Sequence, residues 1–590
     1  MKKFTTIKLA ITMVIMGFSI ANAQNPFKFK PVTYVGAMDA TTDWTAGWTN
    51  WNPEQTTYGS VNETTTLNAA ATTSGKIEIT TSVTLDKDKV YLLTGFVYIK
   101  NGGVLNIPAG TVIRGEGNAS ATPANYASII VQRGGKINAT GTQTNPVVFT
   151  SNKAAGSRKQ GDWGGILLFG KATNNLPGGQ SGCTQCVKGE GLVEGPFGYP
   201  EGVYGGNDDA DNSGVITYTR IEFPGMILSA NNEINGLTLG SVGYGTKIEN
   251  VQVSFSNDDS YEWFGGAVNS KYIVAYKGTD DDFDTDFGYH GNNQFGIGFK
   301  DSVHFDQTWN APSGSSTSEG FESDNDGSGS TNTPQTSAVF SNFTMVGPYY
   351  VGETYLQHSS TVKGAYRRGA RIRKNSAQSI LNSIFMGYRN GLMLDGSGTI
   401  ANATSDALMF RNNIFLGMAF TPASTTANSV VEVATAADLA GVNTWFTTTL
   451  ANNRVNPVAW SAGTLLVNPN AYIASPDLKP VAGSPALSGA DFSTAKTPKD
   501  NGNVNKLINN GSISVYPNPS NGIANVEMNL INNANLNISV LTIDGKVVRN
   551  LNDTYVAGKS VVTFEGLSQG VYIVKVSQDN SFNTFKLIVK

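Results

Sequence analysis

The densest chemistry in the chain is the run Asp280-Asp281-Asp282-Phe283-Asp284-Thr285-Asp286. Read as a strand, its alternation predicts Asp282, Asp284 and Asp286 on one face and Phe283 turned inward. Three carboxylates at that spacing repel one another unless a cation sits among them. Calcium suits such a set, because it takes about six to eight oxygen ligands and exported proteins meet it freely. Asp258, Asp259 and Glu262 come one short repeat earlier and can stack beside the first group if the chain coils. Two further stretches are calcium-like on their own: Asp209-Ala210-Asp211-Asn212-Ser213-Gly214, and Asp324-Asn325-Asp326-Gly327 with Glu319 and Glu322 just before it. Neither is a complete EF-hand loop. Asp, Asn and Gly are also ordinary turn formers. The candidate ligands for Ca²⁺ are therefore Asp209, Asp211, Asp282, Asp284, Asp286, Asp324 and Asp326.

A second chemistry uses the same acids. Asp259, Asp281 and Asp282 with His290 and Arg371 form a candidate catalytic set for cleaving a polysaccharide. An inverting hydrolase needs two carboxyls about 6.5–9.5 Å apart, one to protonate the leaving oxygen and one to activate water. A lyase would instead use calcium to acidify a uronate proton and an Arg or Lys as base, for which Arg367, Arg368, Arg371 and Arg373 are candidates. That basic run reads equally well as a solvated face.

These residues need a scaffold, and composition bounds it. The chain has 590 residues, 66 of them Gly, with 15% charged and 10% aromatic residues and a formal net charge of −4. It can build a core, and it lacks the basic face that nucleic-acid binding requires. Cys183 and Cys186 are the only cysteines. They offer half a zinc site at most, and no thioredoxin-like context surrounds them, so a local disulfide is the expectation.

Repeats supply the architecture. Ile99-Lys100-Asn101-Gly102-Gly103-Val104-Leu105-Asn106 recurs as Val131-Gln132-Arg133-Gly134-Gly135-Lys136-Ile137-Asn138. An apolar-x-Asn signature recurs at Ile248-Glu249-Asn250, Phe340-Ser341-Asn342, Ile380-Leu381-Asn382 and Phe410-Arg411-Asn412. The uneven gaps suit a solenoid whose coils share a core and carry different loops, with Asn side chains stacking at matching turns. Short strands with little helix between them predict an all-β chain: a right-handed parallel β-helix followed by a small C-terminal β-sandwich. A helix is expected within Thr435–Arg454. Trp44, Trp48 and Trp51 have the spacing of one helical stripe and are expected to cap the N-terminal coil.

Two resemblances sharpen this. The passage from Gly236-Leu237-Thr238-Leu239 through Asn250-Val251-Gln252-Val253 to Asn257-Asp258-Asp259 resembles rungs of the pectate-lyase and polygalacturonase superfamily, and Asp477-Leu478-Lys479-Pro480 with Gly483-Ser484-Pro485-Ala486-Leu487 resembles the segment that often closes such helices in exported bacterial proteins. Asn257-Asp258-Asp259, Asp281-Asp282, Tyr289-His290-Gly291 and Arg371-Ile372-Arg373-Lys374 are similar to the polygalacturonase motifs, although His290 follows the Asp pair too closely for a full coil. From Ile513, Ser514-Val515-Tyr516-Pro517-Asn518-Pro519-Ser520-Asn521-Gly522 and the later Gly570-Val571-Tyr572-Ile573-Val574-Lys575-Val576 resemble the type A sorting domain of type IX secretion cargo. That resemblance implies export to the outer cell surface or medium, with the secretion machinery recognising residues 512–590.

The remaining boundaries follow. Residues 1–23 read as a signal peptide, with cleavage before Gln24 and no lipidation Cys. Residues 24–76 are an N-terminal capping region, 77–490 the β-helix and 491–511 a linker. No later segment is apolar and long enough to span a membrane. The expected function is a surface or released β-helix protein that binds polysaccharide or another surface component with calcium support. A polysaccharide lyase or glycoside hydrolase, and a purely structural adhesion protein, are the alternatives.

Overall fold

The two Gly-Gly repeats lie on neighbouring coils, with Val104 paired to Lys136 and Leu105 to Ile137 in a parallel ladder. The computed structural model describes residue 25, residues 27–492 and residues 511–590. Within these spans it leaves out 118–126, 180–181, 230–231, 307–316, 351–360, 362–364, 419–423, 429, 449–450, 462, 471–474, 517–519, 531–532, 543–545 and 579–580. The signal peptide, most of the linker and the Pro517-Asn518-Pro519 motif therefore lie outside the described residues. Among those described, no helix is long and apolar enough to cross a membrane. The chain divides into two units at residues 499 and 500.

The first unit is the expected parallel β-helix. One sheet stacks eleven strands in sequence order, from Lys76–Ile79 to Val431–Val433. A second, of sixteen, runs from Ser82–Thr84 to Arg454–Val455. Between them lies an aromatic core. Tyr261, Phe283 and Phe321 are in register on successive coils, with ring centroids 5.5 and 5.2 Å apart. Only two α-helices are described in this unit, Ser397–Thr404 and Leu439–Phe446. The second is shorter than the Ala-rich stretch suggested, and it buries Val442 and Phe446 against the last coils.

The recurring Asn is a bend. Asn250, Asn342, Asn382 and Asn412 have φ of 56°, 60°, 52° and 58°, and they stand at the same register position of the second sheet. Asn tolerates this left-handed conformation better than most residues. Tyr218, Tyr272 and Phe295 fill the same position on other coils, with φ of 45°, 58° and 63°. Side chains at this bend leave the core, so three aromatic rings stand on the outer surface and must be covered.

The N-terminal segment covers them, which corrects the expectation that the tryptophans cap the first coil. Residues 25–58 form a strap across the outside of the second sheet. Asn25 bonds Asn269, Lys30 N–H donates to Gln294, Gly36 N–H to the Asn382 carbonyl, and Tyr58 to Glu222. Trp44 packs on Tyr272, Trp48 on Tyr218, and Trp51 on Tyr276 and Phe299. Trp44 to Trp48 is a turn. A helix would aim all three rings along one line, whereas the sheet's aromatic partners sit on different coils. Gly36 (φ +90°) lets the strap approach closely, since a Cβ there would stand 2.5 Å from Ile384. The first coil is instead covered by Leu67 and Ala69, beside bridges from Glu63 to Tyr91 and Asn68 to Thr94. Trp48→Ala removes a fully buried ring. It is expected to cost about 3–5 kcal/mol and to expose residues 25–58 to limited proteolysis before the coils themselves are cut.

The second unit is an antiparallel sandwich of a three-stranded and a four-stranded sheet. Val526, Met528, Leu536, Ile538, Val574 and Leu587 form its core.

Candidate functional site

The acidic residues stand on the outer face of the eleven-stranded sheet, positioned by core residues between them. Phe283 and Thr285 are buried inward, while Asp284 and Asp286 alternate outward. In-register pairing then stacks the acids of successive coils. Glu262, Asp284, Glu322 and Arg371 form one row. The row two residues on carries Phe264 and Asp286, then Asp324 and Arg373 beyond the paired ends. The stacking of the 258–262 group beside the 280–286 group is as the sequence suggested.

At the near edge of these rows, Asp259, Asp281 and Glu319 form a ladder. Asp259 accepts from the Asp281 N–H at 2.8 Å, Asp281 from the Glu319 N–H at 2.6 Å, and Glu319 from the Arg368 N–H at 2.7 Å. Carboxylates here serve as backbone acceptors between coils, and one end of the ladder is balanced by arginine. Arg368 joins Glu319 and Glu432, Arg371 joins Glu322 and Asp395, and Asp324 is held by Arg373 and Lys374.

At the other end the carboxyls crowd one another. Asp258, Asp259 and Asp280 present oxygens within 4.8 Å of one another, as do Asp259, Glu262 and Asp284. Burial, then neighbouring carboxylates, raise their affinity for protons. Asp258, Asp259 and Glu262 lie well above the usual carboxylate range, with Asp280, Asp258 and Glu194 as their respective largest charged neighbours. Burial and Glu322 push Asp284 up to about 8, and burial and Glu233 push Glu194 up to about 7. Asn235 donates its amide to Glu262, while its buried carbonyl oxygen accepts no hydrogen bond from the described residues. Thr238, in register beside Glu262, also holds a buried hydroxyl that makes none with them. An all-oxygen set of crowded carboxyls with neutral oxygens beside it fits a hard divalent cation.

Other candidate residues go elsewhere. Asp282 does not share the face of Asp284 and Asp286: it precedes the strand, where alternation no longer governs it, and turns inward to Lys300 at 3.2 Å. Burial pushes it up to about 6 even with Lys300 beside it. His290 bonds the Gly288 carbonyl at 2.8 Å and Asp209 at 3.4 Å, so it does not join Asp259, Asp281 and Asp282. Asp209 also accepts from Thr173. Burial alone would raise it, but these bonds, His290 foremost, hold it at about 2. Asp211 accepts the Lys171 N–H. Asp326 accepts from Ser328 and Ser330, closing a turn. Asp326 thus closes its own turn, whereas Asp209 and Asp211 tie their loop to residues 171, 173 and 290 of other segments. Arg371, Arg373, Lys374, Asn375 and Asp395 line a groove of ≈ 360 Å³ beyond the acid rows. Cys183 and Cys186 form the expected disulfide. Sequence reasoning does not single out Lys300, Glu194 or Asn235, since each stands outside a strand and outside the acidic runs.

Residues 75–465 match a family described as the pectate-lyase like beta helix domain. Residues 514–590 match the secretion system C-terminal sorting domain. A comparison with curated proteins finds no match.

Proposed function

Because the chain belongs to the pectate-lyase-like β-helix family and ends in a type IX sorting tail, we propose that its passenger is a cation-dependent binding protein for an acidic polysaccharide. The tail sends the protein to the cell surface or the extracellular space. The observation that carries the reading is the set of carboxylates from Asp258, Asp259, Glu262, Asp280 and Asp284 held within 4.8 Å in two overlapping groups. Asp259, Glu262 and Asp284 would hold a calcium ion, with Asp258 and Asp280 completing or extending the site. When bound, calcium supplies a positive centre that draws an anionic sugar onto a face that would otherwise repel it. The chain's own residues then orient the polymer, and the groove lined by Arg371, Arg373 and Lys374, each already paired with a carboxylate, continues along the same sheet. His290, the histidine of the candidate catalytic set, is engaged away from the acids, which favours binding over hydrolysis.

Calorimetric titration of the secreted protein with calcium, followed by retention of a polyuronate on the immobilised protein with and without chelator, tests this. Calcium binding is expected to fall at least about tenfold in Asp259→Asn/Glu262→Gln, and polymer retention to require calcium. Unsaturated products or new reducing ends would replace this reading with lyase or hydrolase activity. Calcium-independent retention would refute it.

A further inference from the structure

A groove on the outer face of the second sheet gathers lysines far in sequence from the acid rows. Lys247 is in register with Asn269 on the next coil, and Glu249 with Lys271. Ile248 and Ser270, between them, are buried, so strand alternation turns the other four side chains outward. The N-terminal strap supplies the facing wall. Asn25 and Asn269 exchange amide hydrogen bonds at 3.1 and 2.9 Å, and the Gln294 carboxamide exchanges bonds with the Lys30 backbone at 2.7 and 2.8 Å. Phe27 and Lys28 are held between these two anchors. With Tyr244, Gly245 and Thr246 at the turn before Lys247, they enclose a groove of ≈ 370 Å³, a size within the range of small-ligand sites.

Three lysines and one carboxylate line it. Lys247 is engaged by Glu249 at 3.0 Å. Lys28 and Lys271 form no ion pair among the described residues. Lys271 donates instead to the Lys28 carbonyl at 3.2 Å, with its ammonium 4.6 Å from the centre of the Phe27 ring. Burial weakens the hold of Lys271 on its proton; Glu249 offsets part of this, and Lys30 adds to it. An anion in the groove would relieve both ammoniums. Their number suits a dianion: a phosphate monoester carries about −1.5 to −2 at neutral pH and three acceptor oxygens, whereas a carboxylate carries one charge. Lysine serves phosphate as a compact point charge, and no arginine among the described lining residues offers the planar fork that matches a carboxylate. Phe27 and Tyr244 add aromatic surface against which the apolar face of a sugar ring can pack. We propose that this groove binds a phosphorylated sugar, with the phosphate on Lys28 and Lys271 and the ring against Phe27 and Tyr244. The site needs the strap in place, because Phe27 and Lys28 belong to it. It draws on neither the acid ladder nor calcium.

Titration calorimetry of the secreted protein, freed of divalent cations on a chelating resin, tests this with glucose 6-phosphate. One site is expected, with a Kd below about 1 mM. Inorganic phosphate is expected to bind at least about tenfold more weakly for want of a ring, and galacturonate likewise for want of the second charge. Lys28→Gln and Lys271→Gln are each expected to weaken glucose 6-phosphate about tenfold, the loss of one charge-assisted hydrogen bond. Lys28 is exposed and pairs with no carboxylate among the described residues, so its substitution reads the charge without loosening the strap even if Lys271→Gln does. Asp259→Asn/Glu262→Gln is expected to leave this affinity unchanged, which separates the groove from the calcium site. No binding of glucose 6-phosphate, equal affinity for phosphate or galacturonate, or an affinity indifferent to Lys28→Gln would each overturn the proposal.

Discussion

Stripped of divalent cations, the secreted protein is expected to lose stability as pH rises from about 5 to about 8, and calcium is expected to restore it. The sign follows from the carboxyls. Glu194 is pushed up to about 7 and Asp284 to about 8, and Asp258, Asp259 and Glu262 lie well above their ordinary range. A carboxyl that binds its proton more tightly in the fold than in the unfolded chain favours the fold below its unfolded value. That advantage disappears as pH rises through the folded value. Each such group contributes on the order of 1–3 kcal/mol, less where neighbours share one proton. A cation at about a hundredfold its dissociation constant returns about 2.7 kcal/mol. Thermal unfolding in chelator at several pH values, repeated with calcium, reads both. The melting temperature is expected to fall by on the order of 5 °C across the window without calcium, and to be nearly flat with it. A flat curve in chelator would show that the acids are already compensated within the fold.

The coil was legible in the sequence because its bend has a chemical preference. Asn250, Asn342, Asn382 and Asn412 mark it, yet the 92-residue gap between the first two hides two coils. Those coils use Tyr272 and Phe295 at the same left-handed position. No local rule favours an aromatic residue there. The cost is offset from outside, by Trp44 on Tyr272 and by Tyr34 against Phe295. The same long-range pairing explains the tryptophans, whose spacing imitates a helix but answers to the spacing of coils. Strand alternation correctly placed Phe283, Asp284 and Asp286. It misplaced Asp282 because the partner that draws it inward, Lys300, arrives from the end of another strand. Sequence spacing located the acids and could not say which of them an arginine neutralises, since that depends on register across coils separated by long loops.

Arg368 shows how much rests on that register. Its guanidinium is almost wholly buried, bonds Glu319 at 2.9 Å and holds both oxygens of Glu432 at 2.7 and 2.8 Å. Burial opposes its charge, but the two carboxylates more than compensate. Arg368→Met leaves Glu319, wholly buried, without its only described cationic partner. Removing one member of such a network costs about 3–5 kcal/mol, more than the intact pair contributes. In a solenoid that loss falls first on the interfaces between adjacent coils. Hydrogen exchange is therefore expected to quicken in the strands Phe321–Ser323, Arg368–Arg373 and Asn390–Asp395 while the sandwich of residues 511–590 is unaffected. The variant also carries a pH signature. An unpaired buried Glu319 takes a proton more readily than in the unfolded chain, so the deficit shrinks on acidification. Glu319→Gln added to Arg368→Met is expected to recover part of the loss at neutral pH, because the uncompensated charge is gone. A deficit independent of pH and unrelieved by the second substitution would mean that Arg368 acts through packing, and that the acid ladder tolerates its charge unaided.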